Sequence, residues 1–310
     1  MMKKVAVTGG AGFIGSHLAE ELIRRGYYVT ILDDLSTGKM DNIEGLLSNK
    51  NVDFIQGSVT DFPLLLELFQ NTQYVFHQAA ITSVPLSVDS PQFSHEANIT
   101  GTLNVLLSAR DNHVNKVIYA SSCAVYGDTQ TLPEREDMLP SPLSPYAVTK
   151  LAGEYYCWVF YQVYGLPTVC LRYFNVYGPR QDPSSAYAAV IPVFIKRTCE
   201  GNSPIVFGDG EQTRDFIFVK DAVEANILAA ESDACGLFNI SRGVSITINR
   251  LAELIVELVG NKVEPIHQGP RPGDIRHSLA DVSKARAFGY EPKYDLKVGL
   301  AETIRWFNRK

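Results

Sequence analysis

The stretch that most limits what this chain can become is Thr8-Gly9-Gly10-Ala11-Gly12-Phe13-Ile14-Gly15. It follows a short apolar run, Val5-Ala6-Val7, and precedes apolar residues at helical spacing, Ile14, Leu18 and Leu22. Strand, glycine-rich turn and helix in that order are the setting of a dinucleotide fingerprint. Gly9 permits a tight turn, Gly12 lets the backbone approach a pyrophosphate, and Gly15 lets helix and strand pack closely. The start of the helix then offers N–H groups and a partial positive charge to phosphates. A second apolar run, Tyr28 to Leu32, leads into Asp33, about 20 residues further on. A carboxylate there suits the ribose hydroxyls of NAD and disfavours the 2′-phosphate of NADP.

The first half continues in alternation. Strands are predicted at Val52–Gln56, Tyr74–His77, Lys116–Ala120 and Pro167–Arg172. Helices are predicted around Pro63–Phe69, over Pro91–Asn112 and over Ser144–Tyr164. Such a rhythm implies a parallel sheet with helices on both faces. After Arg172 it breaks. Residues 175–214 are rich in Gly, Pro, Asp and Ser, with one helix expected near Ala188–Cys199. Regular structure returns at Phe216–Val219, in a helix over Ala222–Ala230, a strand at Leu237–Ile240 and a helix over Leu251–Val259. Helices are expected at the end near Val282–Phe288 and Leu296–Asn308. The expected fold is α/β, a Rossmann-type doubly wound parallel sheet with a smaller α/β C-terminal domain. The first domain spans 1–174, with the chain returning to it at about 215–240, and the second is mainly 175–310. Ligands of such sheets bind at the carboxyl ends of the strands, so the cleft between the two parts is the expected site.

Charge and cysteine usage exclude several classes. The formal net charge of −6 gives no global field for nucleic acid or an anionic membrane. Local basic residues must therefore hold any nucleotide. The five cysteines are scattered and form no CxxC pair, so neither a disulfide framework nor a zinc site is expected. No metal ligands are assigned. His77 is expected to pack at its strand end. No apolar run approaches the length of a membrane span. The first strand is expected to begin at Lys3-Lys4 with no leader before it, and a reducing cytoplasm is the expected compartment.

The second motif is Tyr146-Ala-Val-Thr-Lys150, in the first turns of a helix after Ser144-Pro145. Tyrosine and lysine four apart share one face. An unperturbed phenol titrates near ~10, so acting as a base at neutral pH needs about 4 kcal/mol of preferential stabilisation of the tyrosinate. A neighbouring ammonium and a cationic nicotinamide ring together can supply that. The run Tyr119-Ala-Ser121-Ser122-Cys123-Ala124-Val125-Tyr126-Gly127 ends the fifth strand, where a hydroxyl can share the proton of a reacting hydroxyl with Tyr146.

With Leu171-Arg-Tyr-Phe-Asn-Val-Tyr-Gly-Pro-Arg180, these motifs resemble the extended short-chain dehydrogenase/reductases over essentially the whole chain. The resemblance implies Ser122, Tyr146 and Lys150 as the catalytic triad. It implies NAD, tightly bound and regenerated each turnover, held by Gly9, Gly12, Phe13, Ile14, Gly15, Asp33, Asp34, Ser36, Thr37, Gly38, Ser58, Val59, Gln78, Ala79, Ala80, Thr82, Asn98 and Phe174, with Tyr146 and Lys150. The family often has Gly-Asp after the third strand, where this chain has Gly57-Ser58. Serine is uncharged but still accepts a hydrogen bond.

Dehydratases and decarboxylases of this family typically carry an acidic residue just after the catalytic hydroxyl. Here Cys123-Ala124-Val125 follow Ser122. Cys123 itself reads as a small packed residue. That leaves redox chemistry at one carbon, which without net change is epimerisation. Further stretches, His77–Pro85, Arg180–Pro192, Gly208–Phe216 and Arg271–Asp281, are similar to UDP-hexose 4-epimerases, particularly those acting on N-acetylated sugars. The resemblance implies that Asn175, Val190, Ile205, Val206, Phe207, Arg214, Arg271 and Asp274 hold the UDP, and that Ser83, Ser122 and Ser278 face the hexose. Guanidinium forks suit a diphosphate. Ser278 matches a position often filled by tyrosine in epimerases confined to glucose and galactose, so its small side chain leaves room for an acetamido group. The expected substrates are UDP-GlcNAc/UDP-GalNAc and also UDP-glucose/UDP-galactose. A UDP-glucuronate 4-epimerase or decarboxylase, or an NAD-sensing protein without activity, remain the alternatives. Relatives also imply a homodimer through a four-helix bundle of Pro91–Asn112 and Ser144–Tyr164, whose aromatic residues suit an interface.

Overall fold

The computed structural model describes residues 2–183, 189–270 and 275–308. In chain order the first half runs β1 (Lys4–Thr8), α1 (Phe13–Arg24), β2 (Tyr28–Asp33), β3 (Val52–Gln56), α2 (Phe62–Leu68) and β4 (Tyr74–His77). It continues through α3 (Val84–Asp89), α4 (Pro91–His95), α5 (Gly101–Asp111), β5 (Lys116–Ser122), α6 (Pro145–Tyr164) and β6 (Thr168–Tyr173). The second half begins with β7 (Val176–Tyr177), α7 (Val190–Cys199), β8 (Ile205–Phe207), β9 (Thr213–Asp215), β10 (Ile217–Phe218) and α8 (Val219–Glu231). Then come β11 (Gly236–Ile240), β12 (Ser245–Thr247), α9 (Ile248–Val259), β13 (Ile266–Gln268) and α10 (Leu296–Phe307).

Seven strands form one parallel sheet in the order β11-β6-β5-β4-β1-β2-β3. The order reverses between β1 and β4, which opens a crevice at their carboxyl ends. Both faces of the sheet are covered. Val5 and Val7 join one core cluster with Leu18 and Leu22 of α1 and Ala222 of α8, whereas Ala6 joins a second with Leu65, Leu106 and Phe160. Central strands buried on both sides read as near-continuous apolar runs, which is how Val5–Val7 and Val29–Leu32 appear in the chain.

Two-stranded pairs lie beside this sheet: β7 with β10, β9 with β12, and β8 with β13. Helix 91–111 is not uniformly α. Glu96–Thr100 takes π geometry between α4 and α5, and Asn98 lies within it. The helix expected at Val282–Phe288 forms only one 3₁₀ turn, Ala285–Phe288, closed by Gly289 in the left-handed region. Val219, expected at the end of a strand, already belongs to α8. Among the described residues, no helix is long and apolar enough to cross a membrane.

Candidate active site

Because the seven strands are parallel, their carboxyl ends share one edge. That edge gathers the turn 9–15, Asp33 to Gly38, Ser58 and Val59, the segment 78–83, Ser122, and Phe174 with Asn175.

The glycine turn is tightly built. Gly9 has φ +69°, and a Cβ there would meet the backbone nitrogen of Ala79 at 2.6 Å. A Cβ on Gly15 would lie 2.1 Å from the Gly9 carbonyl oxygen. The start of α1 carries no side-chain cap and no acidic residue in its first turn. Its free N–H groups and dipole thus favour an anion. Phe13 and Ile14 are half-buried beside it. Asp33 accepts from the Ala11 N–H at 2.9 Å and from the Leu35 N–H at 2.9 Å, so both oxygens are anchored at the end of β2. Burial pushes its carboxyl above the usual range, and the backbone donors oppose that. Gly38 packs against this carboxylate, since a Cβ there would lie 2.5 Å from Oδ1. Asp34 accepts from the Ser36 N–H at 2.9 Å, and Ser36 and Thr37 are exposed at the rim. The geometry fits an extended dinucleotide: backbone donors for phosphate in the middle and a fixed carboxylate at one end.

Ser58 uses its hydroxyl in its own turn, toward Thr60 Oγ1 at 2.9 Å and the Thr60 N–H at 3.2 Å, and Val59 is buried behind it. The segment after β4 is held from several sides. Gln78 donates to Asn226 Oδ1 at 3.0 Å and to the Tyr173 hydroxyl at 3.2 Å. Asn98 accepts from the Ile81 N–H at 2.8 Å and donates to the Ile81 carbonyl and to Thr149 Oγ1, each at 3.0 Å. The π turn thus aims Asn98 at the loop carrying Ala79, Ala80 and Thr82. His77 sits buried between Thr8 Oγ1 at 2.7 Å and Thr102 Oγ1 at 3.0 Å. Burial drives its imidazole down to about 3, so it is a neutral structural residue. Phe174 is fully buried against Tyr126.

The hydroxyls expected to react, Ser122 and Tyr146, lie at the end of β5 and the start of α6. Ser144 caps α6 by accepting from the Ala147 N–H, and Ser87 of α3 accepts from the Tyr146 N–H at 3.0 Å. Helix α6 lies close on β5 because Gly153 leaves room for Tyr119, whose hydroxyl would be 2.2 Å from a Cβ at that position. Ser122 accepts from the Ala124 N–H at 3.2 Å, and its side chain pulls the Tyr146 phenol down. Burial pushes the Tyr146 phenol up to about 12, against the pull of Ser122. Lys150 donates to the Ala120 carbonyl at 2.8 Å, and its Nζ lies 6.0 Å from the centre of the Tyr146 ring. Burial pulls its ammonium down to about 8, with Glu154 opposing. The protein's own groups therefore hold a neutral phenol. Making it a base requires a cation beyond Lys150. Behind the site, Arg172 forms a bidentate pair with Glu154, both bonds at 2.7 Å, and Ser121 donates to the same carboxylate at 2.5 Å.

Of the residues expected on the sugar-nucleotide side, Asn175 donates to the Asp215 carbonyl at 3.0 Å, tying the end of β6 to β9. Arg214 lies on β9 and donates to the Thr213 carbonyl at 2.8 Å. Val190 opens α7, and Ile205, Val206 and Phe207 form β8, with Val206 buried. Ser83 caps α3 by accepting from the Leu86 N–H at 3.2 Å. Arg271 and Asp274 lie outside the described residues. Cys123 has its thiol pushed up to about 12 by burial, which removes thiolate chemistry.

One residue has no counterpart in the sequence reading. Glu134 is 2% exposed, and its Oε2 accepts from Ser278 Oγ at 3.2 Å. It lies in an irregular segment with no periodicity. A parallel bridge to Ala280 and bonds from Asn239 and Ser278 hold it there. Among the described residues, no cluster of three metal-ligating side chains occurs.

The profile of the NAD dependent epimerase/dehydratase family matches residues 5–241. A putative UDP-glucose 4-epimerase of Methanocaldococcus jannaschii is 40% identical over 304 residues, covering 97% of each chain. Among solved structures, a UDP-N-acetylglucosamine 4-epimerase from Methanobrevibacter ruminantium M1, in complex with UDP-N-acetylmuramic acid, is 45% identical. Its TM-score is 0.95, with 99% of each chain covered. A UDP-glucuronic acid 4-epimerase from Bacillus cereus, in complex with UDP-glucuronic acid and NAD, is 33% identical. Its TM-score is 0.91, again over 99% of each chain.

Proposed function

The chain belongs to the NAD dependent epimerase/dehydratase family, and from that premise we propose that it inverts carbon 4 of UDP-hexoses, both acetamido and plain. The observation that carries this reading is the meeting of Ser122, Tyr146 and Lys150 beside the glycine turn. NAD bound at the glycine turn would supply the acceptor and donor of hydride for carbon 4. Tyr146 accepts the proton of the 4-hydroxyl and later returns it, while Ser122 shares that hydrogen bond. Lys150 keeps positive charge near the phenol. The 4-keto sugar turns over about its link to the diphosphate before it is reduced on the opposite face. Asn175, Val190, Ile205–Phe207 and Arg214, with Arg271 and Asp274, hold the nucleotide end, and Ser83 and Ser278 face the sugar. The positions after Ser122 hold no carboxylate, which disfavours elimination or loss of CO₂.

Acceptance of the acetamido group follows from Ser278, a small side chain at the wall. The homodimer extends the same reading. Phe93 on α4, and Val148, Tyr155, Trp158, Tyr161, Val163 and Tyr164 on α6, are exposed and apolar or aromatic. Pairing these faces would bury them in a four-helix bundle, and sedimentation at equilibrium would give twice the chain mass. The direct test of function incubates the purified protein with UDP-GlcNAc, and separately with UDP-glucose, without added NAD, and resolves the products by chromatography. Conversion of both to their C4 epimers is expected. Conversion of neither, with NAD added as well, would overturn the reading.

A further inference from the structure

We propose that Glu134 sets the charge of the sugar pocket, so that the site selects uncharged hexoses over hexuronates. The inference rests on the reading above that Ser278 faces the hexose. The backbone of Glu134 is anchored. Its N–H donates to the Leu279 carbonyl at 2.7 Å, and its carbonyl accepts from the Asp281 N–H and from Asn239 Nδ2, each at 2.9 Å. The buried side chain lies against Ser278, which donates to it at 3.2 Å.

Four groups face this carboxyl. Ser278 comes from the segment after residue 274, Arg214 and Asp215 from β9, and Cys123 from the turn after β5. Asn239 of β11 brings no charge. Cys123 stays a neutral thiol. Asp215 is already satisfied by the N–H groups of Arg242, Gly243 and Ala280, at 3.2, 3.0 and 3.2 Å. Arg214 and the Ser278 bond favour the ionised form of Glu134, whereas burial, the largest influence, and Asp215 favour the neutral one. The balance leaves it titrating at about 7.

A hexose or acetamido-hexose presents hydroxyls and an amide, which bond to either form of the carboxyl. A hexuronate adds a carboxylate at carbon 6. Because the keto sugar turns over in each cycle, both edges of its ring pass the same wall, so carbon 6 cannot avoid it. Two carboxylates about 5 Å apart in a partly buried site repel strongly enough to weaken binding on the order of tenfold, after allowance for Arg214. With half-ionisation near neutral pH, that repulsion is mostly absent at pH 6 and mostly present at pH 8.

The test measures dissociation constants of UDP-glucuronate and UDP-GlcNAc for the holoenzyme by titration calorimetry, at pH 6 and pH 8, in the wild type and in Glu134→Gln. The ratio of the two constants cancels groups that act on the shared UDP. In the wild type the ratio should rise at least fivefold from pH 6 to pH 8. In Glu134→Gln it should stay flat and lie at least fivefold below the wild type at pH 8. A wild-type ratio independent of pH overturns the proposal, and that arm needs no variant to fold. A Gln variant with the wild-type ratio and pH profile overturns it equally. Both results are separate from the function itself: turnover of UDP-GlcNAc or UDP-glucose with an unchanged ratio would sink only the role of Glu134.

Discussion

At the glycine turn the backbone leaves no room: Cβ atoms at Gly9 and Gly15 would strike main chain at 2.6 and 2.1 Å. In the second half crowded glycines such as Gly210 and Gly299 meet side chains, of Asn249 and Tyr177, and Gly260, which closes α9 at φ +80°, has nothing within 4 Å of a Cβ. The secondary structure differs as well. Gln78, Asn98, Asp33 and His77 are each fixed by side-chain bonds at the sheet edge. Across the cleft, β8, β9, β12 and β13 are three residues each, and β13 is exposed throughout. The contrast suits the proposed chemistry. A cofactor that stays bound through every turnover wants a rigid seat, whereas a sugar that must turn over wants a nucleotide clamp and spare room beside it.

Tyr146→Phe should break the account most severely. Loss of the phenolic proton carrier should lower kcat by about a hundred- to ten-thousandfold, with NAD content and folding unchanged. Retained turnover would remove Tyr146 from the chemistry. Next comes Ser278→Tyr, which fills the roomy side. UDP-GlcNAc turnover should fall at least about tenfold while UDP-glucose turnover survives, and equal loss of both would show that the position supports folding rather than size selection.

The rigid and open glycines give a smaller, direct comparison. Gly9→Ala should cost roughly 2–4 kcal/mol and strip NAD, because the methyl meets backbone and the residue holds a left-handed φ. Gly260→Ala should cost about 1 kcal/mol from φ alone and leave NAD content intact. Urea unfolding with absorbance of the released cofactor reads both, and equal effects would erase the contrast.

A separate effect is in pH. His77 is neutral in the fold at about 3, against an unfolded value near 6.5. The unfolded chain therefore binds the extra proton first, and stability falls as pH drops below 6.5. The loss at pH 5 should be about 2 kcal/mol from His77. His17, held down to about 4 by burial, acts in the same direction. In His77→Asn the difference between pH 7 and pH 5 should shrink, and an unchanged slope would place the sensitivity elsewhere.

The two regions also differed in how legible they were. β3 and β4 fall on the residues expected. Helix α3 is not among the expected helices, although Ser83 and Pro85 are a helix-start signal. The three-residue strands are too short for any period to register. Glu134 illustrates the harder limit, since its partner Ser278 lies 144 positions away and no local pattern encodes that meeting. A small side chain at 278 was visible, but the carboxyl beside it was not.

The central claim is that carbon 4 is oxidised and re-reduced within one site that keeps both cofactor and sugar. UDP-GlcNAc deuterated at carbon 4 is mixed with ¹³C-labelled, undeuterated UDP-GlcNAc, and the epimerised products are analysed by mass spectrometry and NMR. The account predicts that deuterium remains at carbon 4 of the molecule that carried it, with no exchange from solvent and no crossover to the ¹³C pool. Washout into water, or deuterium appearing on the ¹³C-labelled product, would contradict it.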